Sequence, residues 1–206
     1  MLTRIFAGSV SLLMMAGFVL GQGSTPEKTA AKKGGSSDAA YIAKALTAAP
    51  AGVARGAGVA RIDKDGNMQT LRESKNGFTC MVMLGNIMCA DANSMAFFDA
   101  AMKKQAPPTK LGLAYMLRGD LGASNTDPSA PKKTADNHWV VTGPHLMIVG
   151  AGVKDLGLPD SAEADPSKPY IMWANTPYAH AMIPVSGGAA HATAGAAGSE
   201  TKDQKK

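Results

Sequence analysis

The chain has 206 residues and a formal charge of +5, but the basic excess lies towards its ends. Residues 39–185 hold 14 Lys and Arg against 12 Asp and Glu, which leaves +2. They show no basic face with interleaved aromatics, so the charge gives no support to nucleic-acid binding. Aromatics make up 5% of the chain and glycine supplies 23 residues, so a core must rest on Met, Val, Ile, Leu and Ala between long connections.

The first element is an export signal. Arg4 forms a short positive region, residues 5–20 are uncharged and apolar, and Gly21 and Gly23 offer small residues at a cleavage point. An apolar run of this length falls short of the ~20 residues a membrane-spanning helix requires. The expectation is a cleaved signal over 1–21 and a periplasmic or secreted protein with no span after cleavage. In that compartment Cys80 and Cys89, the only cysteines, are expected to form a disulfide rather than a thiol site. Residues 22–38 and 186–206 are small, polar and charged, and read as a linker and a tail without a core of their own. One domain over 39–185 is left between them.

Within that domain Asp38 is expected to cap a short helix ending at Pro50, with Tyr41, Ile42, Ala45, Leu46 and Ala49 on its apolar side. A hairpin follows, Gly58–Ile62 with Met68–Arg72, closed by the Asp65-Gly66 turn. The Asp-x-Asp-Gly-Asn run there is similar to the start of a calcium loop, but the later oxygen ligands and distant glutamate are missing, so it reads as a turn. Residues 78–84 should form a strand running into a Cys80–Cys89 loop. The principal helix is predicted over 94–105, with Met95, Phe98 and Met102 on one side and Lys103 and Lys104 in its last turn. Residues 111–117 read as a buried strand, 118–137 as a long polar loop, and 139–142, 145–150, 170–174 and 181–185 as short strands. The fold class expected is α+β: a mainly antiparallel sheet of short strands with one principal helix and long loops.

Three histidines, His138, His145 and His180, fall at starts of strands beside the long loop. Histidine is the commonest metal ligand and general base, and Asp136 or Asp127 can orient a ring. Trp139 and Tyr178 lie in the same segments. The spacing matches no HxH or HExxH metal motif, so the sequence commits to no metal and no cofactor beyond a divalent ion under an alternative reading. Ten methionines lie beyond the signal. Thioethers suit Cu(I), but these sit in apolar runs such as LAYML, LMIV and YIMW, where methionine fills a core. There is no GxSxG, SxxK, phosphate-binding loop or CxxCH.

Three stretches together, NGFTCMV over 76–82, SNTDP leading to DNHWVVTGPHLMIVG over 124–150, and PYIMWANTPYAHAMIPV over 169–185, resemble a family of uncharacterised bacterial exported proteins with one domain after a signal peptide. The resemblance implies export and a single domain, and carries no activity. The functional expectation is a periplasmic binding or envelope-associated module that meets a small molecule or envelope protein through the 118–138 loop, His138, Trp139, His145, Tyr178 and His180. The alternative is a metal-dependent His/Asp enzyme or metal-binding protein. A purely structural envelope protein is the third reading. No oligomeric state follows from the sequence.

Overall fold

In the computed structural model the residues described are 36–185. The predicted signal peptide, the tail over 186–206 and most of the predicted linker lie outside the described residues. Among the described residues no helix is long and apolar enough to cross a membrane.

The chain runs α1 (Ser36–Leu46), α2 (Ala51–Ala54), β1 (Gly58–Ile62), β2 (Met68–Arg72), β3 (Phe78–Met83), β4 (Asn86–Asp91), α3 (Ala92–Met102) and β5 (Gly112–Met116). It continues through β6 (Ala123–Ser124), β7 (Trp139–Val140), β8 (His145–Val149), β9 (Tyr170–Met172) and β10 (His180–Pro184), with a single 3₁₀ turn at Val153–Leu156. Eight strands form one sheet in the order β2-β1-β3-β4-β5-β8-β10-β9, and β6 pairs with β7 separately. The class is α+β, but the sheet is mixed: β1 runs parallel to β3, and the other pairings in it are antiparallel.

Strand alternation sends successive side chains to opposite faces, and each face has its own cover. On one, α1 lays Tyr41, Ile42, Ala45 and Leu46 against Val59, Cys80, Cys89 and Tyr115. The Tyr41 hydroxyl donates to Ala60 O and accepts from Val82 N, each at 3.0 Å, fixing the helix across two strands. On the other, α3 sets Met95 and Phe98 against Met88, Ala90, Ala114, Met116 and Met147.

Four expectations are corrected. The first helix begins before Asp38, whose carboxylate pairs with Arg61 instead of capping. Residues 36–38, placed in the linker from sequence, belong to α1, which equals α3 in length, 11 residues each, so no one helix is principal. The segment between the cysteines is a hairpin rather than a loop. Leu84 and Gly85 both take positive φ, 50° and 83°, the conformation of a two-residue type I′ turn, and β4 returns beside β3. Lastly, α3 stops at Met102. Lys104 is left-handed (φ 55°), Gln105 N donates to Ala100 O and Lys104 N to Ala101 O, a Schellman ending in which Lys takes the usual glycine position. Its start is capped by Asp91, which accepts from Ser94 N at 2.8 Å.

Cys80 and Cys89 are register partners across the β3–β4 hairpin, at disulfide distance and fully buried beneath α1. Closing this loop restricts the unfolded chain. Replacing both cysteines by serine, or reducing them, should cost about 2.5–3 kcal/mol in urea unfolding. Equal midpoints for oxidised and reduced protein would refute this.

Candidate functional site

β8 and β10 open with one pattern, His-x-Met: His145-Leu146-Met147 and His180-Ala181-Met182. With alternate residues on one face, each His shares a face with its Met. Met147 faces Met182 across the ladder, Met116 faces His145 and Met172 faces His180. The sheet surface beneath α3 is therefore paved with methionine.

Packing there leaves a cavity of about 150 Å³ lined by Met83, Met88, Met116, Met147, Met172 and Met182 together with His145, His180, Asp120 and Trp173, the two histidines lying on either side of the Met147–Met182 pair along the β8–β10 ladder. A neighbouring cavity of about 310 Å³ shares Met83, Met88 and Phe98 and adds Met68, Met81, Met95 and Met102. Every methionine of the described residues lines one or the other. The sequence reading of these residues as core holds for burial, since Met88, Met116, Met147, Met172 and Met182 are all buried. Their gathering around one hollow is the new feature.

The two histidines are 0% and 1% exposed. Each makes its hydrogen bond through Nδ1 to a carbonyl two residues earlier, His145 to Gly143 O at 2.6 Å and His180 to Tyr178 O at 3.0 Å. A carbonyl can only accept, so Nδ1 carries the proton in both rings. Burial disfavours the charged imidazolium. It pushes the His180 pKa down to about 4, against the pull of the Tyr178 carbonyl and with a smaller push from His145. His145 is also lowered by burial, and the Gly143 carbonyl and the Asp120 charge only partly resist. Each neutral ring thus keeps a bare Nε2 lone pair. His145 Nε2 is buried without any partner, and His180 Nε2 makes no hydrogen bond among the described residues.

Aromatic rings fix the orientation of His180. Trp173 stands 4.7 Å from it, edge to face, and Phe97 and Phe98 each 6.1 Å. Trp173 itself has φ 56°, strained for a bulky residue. It is held there by Trp173 N donating to Asn125 O (2.9 Å) and its Nε1 donating to Ser124 O (2.8 Å). The long polar loop is thereby latched to the cavity wall. At its start Asp120 accepts from Gly122 N and Thr142 N at 2.9 and 3.0 Å, and burial raises its pKa. Gly122 (φ 95°) must lack a Cβ, which would lie 2.1 Å from Trp139 Nε1.

Of the residues singled out from sequence, His145 and His180 line the cavity. The others lie elsewhere. His138 Nδ1 is 2.7 Å from Glu163 Oε1, Asp136 is exposed, and Asp127 accepts from Ser129 N. Trp139 covers Gly122, and Tyr178 donates to Gln105 O at 2.9 Å. Among the described residues no three His, Cys, Asp or Glu side chains are placed to hold a metal together. Sequence reasoning missed Asp120 and Trp173, and it missed the repeated His-x-Met, the one signal that pointed to this face.

No family model, curated protein or solved structure matches the chain. The reading of function therefore rests on the geometry alone.

Proposed function

We propose that this domain is a binding module of the export compartment, and that its seat is the methionine-lined cavity closed by His145, His180, Asp120 and Trp173. The observation that carries this is His145 Nε2, buried without a partner, on a neutral ring that lines the methionine-rich hollow together with the neutral ring of His180. An unsatisfied buried acceptor costs about 1–3 kcal/mol, a cost that a packed core avoids and a binding site recovers on loading. The occupant is a small species that accepts electron density from nitrogen: a hydrogen-bond donor on an apolar body, or a soft cation. The 118–138 loop contributes Asp120, Gly122 and Ala123 to the lining, so it shapes the seat from its first turn rather than along its length. The buried cysteine pair supports an oxidising compartment. A divalent-metal His/Asp centre drawing on His138, His145, His180, Asp136 and Asp127 is the less favoured reading, since among the described residues no three His, Cys, Asp or Glu side chains are placed to hold a metal together.

Methionine methyl groups report on this seat directly. In protein labelled with ¹³C at the methionine methyls, phenol or Ag(I) is expected to shift Met116, Met147 and Met182 while leaving exposed Met102 in place. If neither probe moves those three signals, the hollow is packing and the proposal fails.

A further inference from the structure

We infer that the occupant of the cavity is a small primary amine in its ammonium form, its head held between His145 Nε2 and the Asp120 carboxylate and its apolar body lying over Met147 and Met182. The inference rests on the reading of the cavity as a binding seat and names its ligand. The two histidines serve different ends of that seat. His145 stands opposite Pro184 on the β8–β10 ladder, and His180 lies further along the same strand as Pro184, ~13 Å away at the rise of a strand. Asp120 belongs to the His145 end. Its Oδ1 accepts from Thr142 N, and the next residue, Gly143, offers its carbonyl to His145 Nδ1. Asp120 and His145 also feel each other's charge, yet His145 Nε2 has no partner.

The groups left free at this end accept rather than donate. The Nδ1–H of each ring goes to a carbonyl, and Trp173 Nε1–H goes to Ser124 O. Asp120 Oδ1 takes both amide donors, Gly122 N and Thr142 N, so Asp120 Oδ2 and His145 Nε2 remain. Among the lining side chains only Asn86 keeps a free donor, its Nδ2, since its Oδ1 takes Leu121 N. A hydroxyl has one hydrogen and serves one acceptor, whereas an ammonium has three and serves both. Charge points the same way. Burial raises the Asp120 pKa, no lysine or arginine lines the cavity, and Asp120 is in none of the ion pairs of the described residues. A bound cation favours the ionised carboxylate that burial disfavours. At the far end Trp173 and Phe98 stand 4.7 and 6.1 Å from the His180 ring and close an apolar wall. The volume of about 150 Å³ suits a body the size of benzene.

The test is titration of the purified protein at pH 7 with benzylamine and with benzyl alcohol, the same body carrying a neutral head, followed by methionine methyl and histidine ring ¹⁵N signals. Benzylamine is expected to bind about 10-fold or more tightly than the alcohol, as a charge-assisted hydrogen bond allows, and to move the His145 Nε2 signal. Asp120→Asn keeps an Oδ1 for the two amides, so its melting temperature should stay near the parent's while the preference for benzylamine disappears. Met147→Leu/Met182→Leu conserves volume and should keep that preference, since the sulfurs are wall and not ligand. Should Asp120→Asn fail to fold, the comparison of the two probes on the parent still decides. The inference is overturned if benzylamine binds no tighter than benzyl alcohol, if His145 Nε2 does not move, or if Asp120→Asn keeps the preference. A cavity that benzyl alcohol or phenol enters without any gain for benzylamine would leave the binding seat standing and remove the ammonium assignment. Entry of none of the three would remove both.

Discussion

Replacing Phe97 by alanine is expected to cost about 4 kcal/mol, the range for deleting a fully buried aromatic ring and leaving its cavity. Phe97 is 1% exposed and lies where α3 meets the site. Its ring stands edge to face with Phe98 at 5.5 Å, Tyr178 at 6.4 Å and His180 at 6.1 Å. The loss therefore removes both apolar burial and the wall that holds the His180 ring, and the variant should bind Ag(I) more weakly than its stability alone requires. Phe97→Leu keeps most of the volume and should cost about 1 kcal/mol. Urea unfolding of the two variants checks the pair. Equal costs would mean that ring shape is immaterial there.

The second large effect is on acid stability. The His180 ring is neutral in the fold, with its pKa pushed down to about 4 from the usual 6.5. Between those values the unfolded chain binds a proton that the native chain refuses. The contribution to stability is therefore complete above pH 6.5 and is lost as the pH falls towards 4. From pH 7 to pH 4.5 this amounts to about 2–3 kcal/mol. His145, also lowered by burial, adds in the same direction. Asp120 opposes them, because a raised carboxyl pKa lets the native state take up a proton first as the pH falls. Unfolding midpoints at the two pH values should differ accordingly, and His180→Gln should remove most of the difference. A midpoint that does not move between pH 7 and 4.5 would contradict the buried neutral ring.

Much of the sheet was legible because its strands announce themselves locally. The β1–β2 hairpin was found at its residue limits, since Asp65-Gly66 supplies both the turn chemistry and the positive φ, 84° at Gly66. The strand β4 was not, because Leu84 occupies a left-handed turn position that normally advertises itself as Asn or Gly. The same holds at the end of α3, where Lys104 stands where glycine is expected. The parallel contact of β1 with β3 joins residues brought together only by the global topology, and no local pattern encodes it.

The site was half legible for a similar reason. His145 and His180 were visible as chemistry-bearing residues at strand starts, yet spacing along one chain segment says nothing of which side chains come to share a face across a sheet. Register creates the cluster: Met147 meets Met182, and Met116 meets His145, through pairings between segments tens of residues apart. Asp120 and Trp173 were hidden by loops whose backbone hydrogen bonds, not periodicity, aim them. His138, with its ring turned to Glu163, shows the converse, a histidine marked by position alone.

The central claim is that two buried imidazoles, protonated at Nδ1 and bare at Nε2, face the methionine-lined cavity. Long-range ¹H–¹⁵N correlation spectra of ring-labelled protein at pH 7 read this state for each histidine. For His145 and His180 the account predicts a protonated Nδ1 and a pyridine-type Nε2, with the Nε2 signals moving when Ag(I) is added. An imidazolium at either position, the opposite tautomer, or Nε2 signals unmoved by both Ag(I) and phenol would contradict it.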